Sequence, residues 1–333
     1  MAGYEPTIIS VNMARMSIAN LIIRNPVARA LQILGDHSTI MIMRDVFLGR
    51  HRFTEFFEHS NLSKGTLTAR LESLVANGVL HKALYSTKPP RYEYRLTEKG
   101  RALYPWALMI WQWESDWGNQ LGAGLPSKLT HDNNDAHVLL PICLCRHCKE
   151  PVTAKNVSAQ RLETESESSA LNSTQLAGAV GKQRRLSGSK NGKKDNSLGH
   201  VSDVIGDRWS SLVIGSSLLG VKRYEDYQLE LGIATNILAS RLKSLTRLGV
   251  LDRVQYQAKP PRYEYFLSNK GRAFYGQTMA LRQWVLDYFT PIESRLKLIH
   301  LNCGAELDVD VVCESCHEIP NPSDVNFDRQ RQS

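Results

Sequence analysis

The residues with the clearest chemical potential are six cysteines and the histidines near them. Four of the cysteines form two CxxC pairs, Cys145-Arg146-His147-Cys148 and Cys313-Glu314-Ser315-Cys316. His300-Leu301-Asn302-Cys303 precedes the second pair, so His300, Cys303, Cys313 and Cys316 offer four soft or borderline donors at a spacing that suits a closed tetrahedral zinc site. The first pair is less regular, because Asn134 stands where a counterpart of Cys303 belongs. His131, His137, Cys143, Cys145 and Cys148 are donors there, with His131, Cys145 and Cys148 the candidate ligand set. Structural zinc and unliganded thiols are the two readings of these tails. No secretory leader is visible at the start of the chain, which is expected to be cytoplasmic, and disulfides are the weaker reading in that compartment. No stretch is apolar over the 18 or more residues that span a bilayer, so no membrane partner is expected. The chain shows no glycine-rich phosphate loop, no HExxH and no nucleophile elbow, which argues against an enzyme. The best enzymatic reading, a CxxC dithiol oxidoreductase, lacks the strand-led βαβ setting such a pair needs.

A second chemical signature is basic. Lysine and arginine number 41 against 33 acidic residues, a net charge of +8 that favours a polyanionic partner. The string Lys88-Pro89-Pro90-Arg91-Tyr92-Glu93-Tyr94 recurs as Lys259-Pro260-Pro261-Arg262-Tyr263-Glu264-Tyr265, a shift of 259 − 88 = 171. Holding that shift without a gap from Gly35–Trp117 to Gly206–Tyr288 gives 30 identities in 83 positions. Every loop has therefore kept its length, and the two copies should share one backbone.

Elements that would position these residues follow from periodicity. Pro26 opens a helix that stops at Gly35, and Ser38 is the expected cap of a second helix that Gly49 closes. Phe53, Phe56 and Phe57 mark a short third helix. Ser63 caps a fourth, on which Leu67, Leu71, Leu74 and Val75 form one apolar stripe ended by Gly78. Residues 80–85 and 91–96 are strand-like, and the prolines between them should stop ladder pairing and leave a stiff basic tip. A last helix runs from Thr97 to about Trp117 as one element, with more apolar surface than one face can bury locally.

This order, together with Gly206-Asp207-Arg208-Trp209, Leu67-Thr68-Ala69-Arg70-Leu71, Asn77-Gly78-Val79-Leu80, Pro89-Pro90-Arg91-Tyr92-Glu93-Tyr94 and Leu96-Thr97-Glu98-Lys99-Gly100, resembles the HxlR-type branch of the MarR-like winged helix-turn-helix regulators, over about 90 residues in each copy. The resemblance implies a mainly α fold with small β-wings (α+β), in which two tandem winged helix-turn-helix domains are each followed by a long helix and a short Cys-containing tail. It also implies a cytoplasmic transcription regulator, a repressor, that binds double-stranded DNA at an inverted or imperfect repeat and answers to an unknown effector. Terminal helices would mediate pairing, here within one chain as a pseudo-dimer or between two chains as a homodimer, with Trp106–Trp117 and Met279–Tyr288 as the interface candidates. Many redox sensors of this type carry a cysteine just before the proline of the first helix. Asn25 and Asn196 stand there, so thiol sensing at that point is not expected. The first copy also has His37-Ser38 where the pattern has Arg-Trp.

The expected organisation is a helical extension (1–25), the first winged domain (26–120), a Cys-containing tail (121–157), a flexible linker (158–197), the second winged domain (198–290), a zinc-ribbon-like tail (291–320) and a disordered end (321–333). Helical spacing turns Gly65, Thr66, Ala69 and Ser73 away from the apolar stripe, with Lys64 and Arg70 beside them; Asn236, Ile237, Ser240 and Ser244 match them, with Arg241 and Lys243 nearby. These, with the tip residues Lys88, Arg91, Lys259 and Arg262, form the candidate DNA-binding set. Arg70 and Arg241 lie at the stripe's edge, where an ion pair to an earlier helix competes with base contact. The two sets differ, so unequal half-sites are expected. A protein-interaction module that has lost DNA binding in one or both copies is the alternative.

Overall fold

The computed structural model describes residues 25–118, 125–133, 135–161, 200–290, 294 and 296–327. The expected helical extension, most of the linker and residues 328–333 lie outside them. The expected disordered end is ordered as far as Phe327, and the expected flexible linker begins as a strand to Arg161, because both segments pair with strands of the other copy. Among the described residues no helix is long and apolar enough to cross a bilayer.

Each copy forms the same head. In the first, α1 (Pro26–Leu34) starts where the Asn25 side chain accepts from the Ala28 N–H. The second helix, α2 (His37–Phe47), is capped by Asp36 and not by Ser38: its carboxylate accepts from the Thr39 N–H and hydroxyl. Ser38 is buried inside the first turn. Helices α3 (Phe53–Ser60) and α4 (Lys64–Ala76) follow, α4 capped by Ser63 as expected. Gly78 takes a φ of +67°, which lets the chain reverse into the wing, β1 (Leu80–Thr87) against β2 (Pro90–Leu96). The ladder runs further than the prolines suggested, to Thr87 opposite Pro90, because a proline at the first position of a strand withholds no hydrogen bond the ladder needs.

The expected single long helix is two. A short α5 (Glu98–Arg101) is capped by the Thr97 hydroxyl, which also donates to the Gly78 carbonyl. The chain then re-enters α6 (Tyr104–Trp117), with Pro105 in its first turn. Pro105 has no N–H for the Arg101 carbonyl, and its ring would crowd that carbonyl in a continuous helix. The second head repeats the plan with α7 (His200–Ile205), α8 (Arg208–Leu218), α9 (Tyr224–Leu231), α10 (Thr235–Arg247), the wing β7 (Leu251–Gln257) and β8 (Arg262–Leu267), α11 (Asn269–Arg272) and α12 (Tyr275–Tyr288).

The surplus apolar surface of α6 and α12 is spent on the other head. The two helices pack on each other, α1 packs on α12, and α7 packs on α6, so one continuous core joins both copies. The contacts are reciprocal. Trp113 Nε1 donates to the Lys270 carbonyl at 3.0 Å, and Trp284 Nε1 donates to the Lys99 carbonyl at 2.8 Å. Asp36 bridges to its own counterpart Asp207, and Trp106 donates to its own counterpart Gln277 at 3.0 Å. Positions that meet their own counterparts mark an approximate twofold axis between the heads.

The tails exchange strands across the same axis. β3 (Leu129–His131), β4 (His137–Val138), β5 (Pro141–Cys145) and β6 (Val157–Arg161) come from the first copy; β9 (Leu296–His300), β10 (Val309–Cys313) and β11 (Val325–Phe327) come from the second. β5 pairs with β10, β6 with β9, and β3 with β11, all antiparallel. Apart from the short β3–β4 pair within the first copy, every described ladder between tail strands joins one copy to the other.

Candidate nucleic-acid interface and metal-binding clusters

Helix α4 buries Leu67, Leu71 and Leu74 completely and leaves Lys64, Gly65 and Ala69 exposed and Thr66 and Ser73 half-buried. On α10, Leu238, Leu242 and Leu245 are buried, Asn236, Ser240 and Lys243 exposed, and Ile237 and Ser244 half-buried. The polar face read from the sequence is the solvent face in both heads. Arg247, in the last turn of α10, is exposed as well and, like Lys243, has no ion pair among the described residues, whereas on α4 only Lys64 is exposed and without one.

Each wing projects beside its helix with Lys88 and Arg91, or Lys259 and Arg262, exposed at the tip, where each lysine is joined to the following proline by a cis peptide bond. Tyr94 and Tyr265 anchor the wings: their N–H groups donate to the carbonyls of His51 (2.7 Å) and Lys222 (2.8 Å), and their rings face Phe56 and Tyr227. Tyr92 is exposed and takes no part in that anchoring.

Arg70 and Arg241 behave as ion-pair residues. Arg70 Nε lies 3.2 Å from Asp36, and Arg241 Nε lies 2.6 Å from Asp207. Those aspartates cap α2 and α8, so each arginine ties its exposed helix to the N-terminus of the helix behind it.

The cysteines and histidines gather into two four-residue clusters, each with its ligand atoms within 4.8 Å of one another. The composition of the clusters corrects the grouping expected from the sequence. His300 and Cys303 do not meet Cys313 and Cys316, and His131 does not meet Cys145 and Cys148. One cluster is Cys145, Cys148, His300 and Cys303; the other is His131, His137, Cys313 and Cys316. The physical reason is the exchange of strands. β9, paired with β6, delivers His300 and Cys303 to the first CxxC turn, and β3, paired with β11, delivers His131 to the second.

Locally the turns are alike. After each CxxC a residue enters the left-handed region, Lys149 (φ 60°) and His317 (φ 58°), and its N–H returns to the first cysteine's carbonyl. Gly304 (φ 71°) closes the His300–Cys303 turn in the same way. The first tail, with Asn134 in place of a cysteine, supplies His137 from β4 instead, which makes one cluster Cys3His and the other Cys2His2. His137 belongs to the site and was absent from the expected ligand set; the weak signal for it is a second histidine six residues after His131.

Cys148 Sγ and Cys303 Sγ lie 3.3 and 3.4 Å from His300 Nδ1, and Cys145 Sγ lies 4.0 Å from Cys303 Sγ. In the other cluster Cys316 Sγ is 3.3 Å from His131 Nδ1, and Cys313 Sγ is 3.3 Å from His137 Nε2. A tetrahedral zinc with ordinary bond lengths has edges of about 3.5–3.8 Å, so both donor sets fit one such ion. Burial opposes ionisation of Cys313, but the N–H groups of Ser315 and Cys316 and the rings of His131 and His137 outweigh it and bring the thiol down to about 6. Burial likewise opposes ionisation of Cys145, and the N–H groups of Cys148 and His147 win, lowering it. Cys143, buried in β5 and outside both clusters, is pushed up to about 12, chiefly by burial.

Comparison with known proteins bears on the heads. The HxlR-like helix-turn-helix family pattern matches residues 33–121 and 204–293, together more than half of the chain. The chain belongs to this family. It is therefore a DNA-binding regulator of the helix-turn-helix class. Among HxlR-like relatives, an uncharacterised HTH-type transcriptional regulator of Mycobacterium bovis is 37% identical over 134 residues, 40% of this chain and 84% of that protein. The Bacillus subtilis regulator YdeP is 34% identical over 96 residues, 28% of this chain and 72% of its own length. A solved structure of the redox regulator HypR in its reduced form shares 32% identity over 28% of this chain and 92% of that one, with a TM-score of 0.27. Both cysteine–histidine clusters lie outside the residues that the HxlR-like pattern matches.

Proposed function

We propose that this HxlR-like chain is a repressor that reads an imperfect inverted repeat in double-stranded DNA with two unequal heads, held as a pseudo-dimer within one polypeptide. The observation that carries this reading is the approximate twofold relation between two exposed helix-and-wing surfaces. A twofold pair of heads suits half-sites in inverted orientation. The reading helices are α4, through Lys64, Gly65, Thr66, Ala69 and Ser73, and α10, through Asn236, Ile237, Ser240, Lys243 and Ser244. Lys88, Arg91, Lys259 and Arg262 hold phosphates or enter the minor groove beside them. Arg70 and Arg241 position the helices through Asp36 and Asp207 rather than reading bases. With Lys243 and Arg247 free, the second head takes the larger share of phosphate contact. Each cluster takes one zinc, which joins the tails of the two copies.

Selection of bound fragments from sheared genomic DNA with the full chain tests this reading. It should return two half-sites in inverted orientation and of different sequence. A perfectly symmetric site, or binding with no salt dependence, would refute it. If only the second half-site emerged, the first head would be an interaction module that has kept the fold without reading DNA. The sparse free charge of α4 favours that second reading for this head alone.

A further inference from the structure

The same hollow exists in both halves, filled in one and open in the other. In the first half it lies between α2, α6 and the tail strands and has a volume of about 70 Å³. In the second it lies between α8, α12 and the tail strands and has a volume of about 570 Å³, well inside the range of about 300–1,000 Å³ that holds small ligands. Four replacements account for the difference. Arg44, Phe47, Trp111 and Phe327 line the small hollow, and Gly215, Leu218, Arg282 and Ala159 hold the corresponding places in the large one. The last correspondence follows from strand register, since Phe327 pairs with Leu129 and Ala159 with Leu298. A side chain on Gly215 would meet open space, so the opening is not demanded by close packing there.

The open cavity is mainly apolar, with Leu212, Met279, Leu296 and Leu298 in its walls, and it holds one buried cation. Arg282 is 8% exposed. Nη1 donates to the Leu307 carbonyl at 2.7 Å, and among the described residues Arg282 has no carboxylate within ion-pair distance. Burial pulls its pKa down, with Asp308 and Glu306 opposing only from farther off. A guanidinium has five donors in a planar fork, and buried charges are ordinarily paired. Tyr275, whose side chain is largely buried, and Thr278 line the same space.

We propose that this cavity is the effector site of the regulator, and that it takes a small amphipathic carboxylate whose acid head pairs with Arg282 and whose aromatic or aliphatic body fills the apolar walls. Of the two matching hollows among the described residues, only this one is open. Its wall α8 is capped by Asp207, which holds Arg241 of α10, so a ligand wedged behind α8 acts on the helix proposed to read DNA. The coupling to DNA rests on the function proposed above; the binding itself does not.

The test is calorimetric titration of the full chain with 4-phenylbutanoate, hexanoate and decanoate, and with 4-phenylbutanamide as the neutral control. The expected result is one site per chain for at least one acid, with the amide bound at least tenfold more weakly than phenylbutanoate. Arg282→Met should remove that preference. Leu218→Phe with Ala159→Phe, which restores the first half's own fillings, should abolish binding, and Phe47→Leu in the first half should leave it unchanged. No binding of any acid at millimolar concentration, equal binding of acid and amide, or undiminished binding to the filled variant would overturn the proposal. So would acid binding that appears only in a chain lacking residues 1–24, because the occupant would then be the chain's own segment. DNA binding followed by fluorescence anisotropy separates the two claims. Acid binding that leaves DNA affinity unchanged removes the regulatory role, whereas loss of DNA binding without any acid refutes the regulator reading alone.

Discussion

The crossed ligand sets predict a result that no pairing within a tail can give. Cys303 and Cys313 stand ten positions apart in one tail, yet they serve different clusters, while Cys145 and Cys303, from different copies, serve the same one. Wild-type protein purified without chelator should carry two zinc ions per chain, and Cys303→Ser or Cys313→Ser should each carry one. Cys303→Ser with Cys313→Ser should carry none, and Cys145→Ser with Cys303→Ser should keep one. If each tail closed its own site, the two double variants would exchange these results. The energetic consequence can be bounded. A metal present at about 1,000 times its dissociation constant stabilises the bound state by about 4 kcal/mol. At about 2–4 °C per kcal/mol for a unit of this size, each empty site should lower Tm by about 8–16 °C. The heads share one core that is separate from the two tail clusters, so the loss should appear in the tails. Elemental analysis by mass spectrometry gives the stoichiometry, and calorimetry gives the shift. One zinc remaining on the Cys303/Cys313 double variant would refute the crossed arrangement.

Three further outcomes follow from the same geometry. Asp207→Ala removes the cap of α8 and the anchor of Arg241 together; denaturant titration should show a loss of about 1–2 kcal/mol for the cap, with about 0–1 kcal/mol more for the partly exposed ion pair. Trp113→Ala should cost about 3–5 kcal/mol, because the ring is 2% exposed, lies 4.3 Å from Phe274 and gives its N–H to the other copy; a loss under 1 kcal/mol would contradict that packing. In metal-free protein the Cys313 thiol ionises near pH 6, well below an ordinary thiol. A depressed acid contributes stability above its unfolded pKa of about 8.5 and loses it as pH falls through the folded value, so ultraviolet thiolate absorbance should show a step near 6 that Cys313→Ser removes.

The heads were legible because their signals are local. The matched shift of 171 fixed two copies of one backbone, the cap at Ser63 lies next to the turn it closes, and the apolar stripe of α4 is a property of a single helix. Local misreadings had local causes. Ser38 and Asp36 are both competent caps, and the one outside the helix won; Pro105 broke a helix whose apolar pattern continues through it. The clusters were misgrouped for a different reason. Spacing along the chain identifies ligands only when the turns that carry them fold against each other, and here every main tail ladder joins opposite copies. The sequence contained the ligands but not the strand partners, which come from the other copy. The cavity was equally hidden, since Gly215, Leu218, Arg282 and Ala159 lie on three separate elements and acquire meaning only beside their counterparts.

Fusion of two copies changes what a twofold interface can contain. In a dimer of identical chains, a residue on the axis faces itself, and any change there is made twice at once. Here Trp106 faces Gln277, and the indole N–H finds an amide oxygen that a second tryptophan could not offer. The same freedom runs outward from the axis. One cluster keeps three cysteines and the other replaces one with His137; one hollow is packed with aromatic side chains and the other is open around Arg282; α10 carries two exposed cations without an ion pair among the described residues where α4 carries one. Each difference would be doubled in a homodimer, giving two open hollows and two equal heads. In one chain they coexist on a backbone that remains symmetric, because reciprocal contacts such as Trp113 to Lys270 and Trp284 to Lys99 hold the frame while the functional positions diverge.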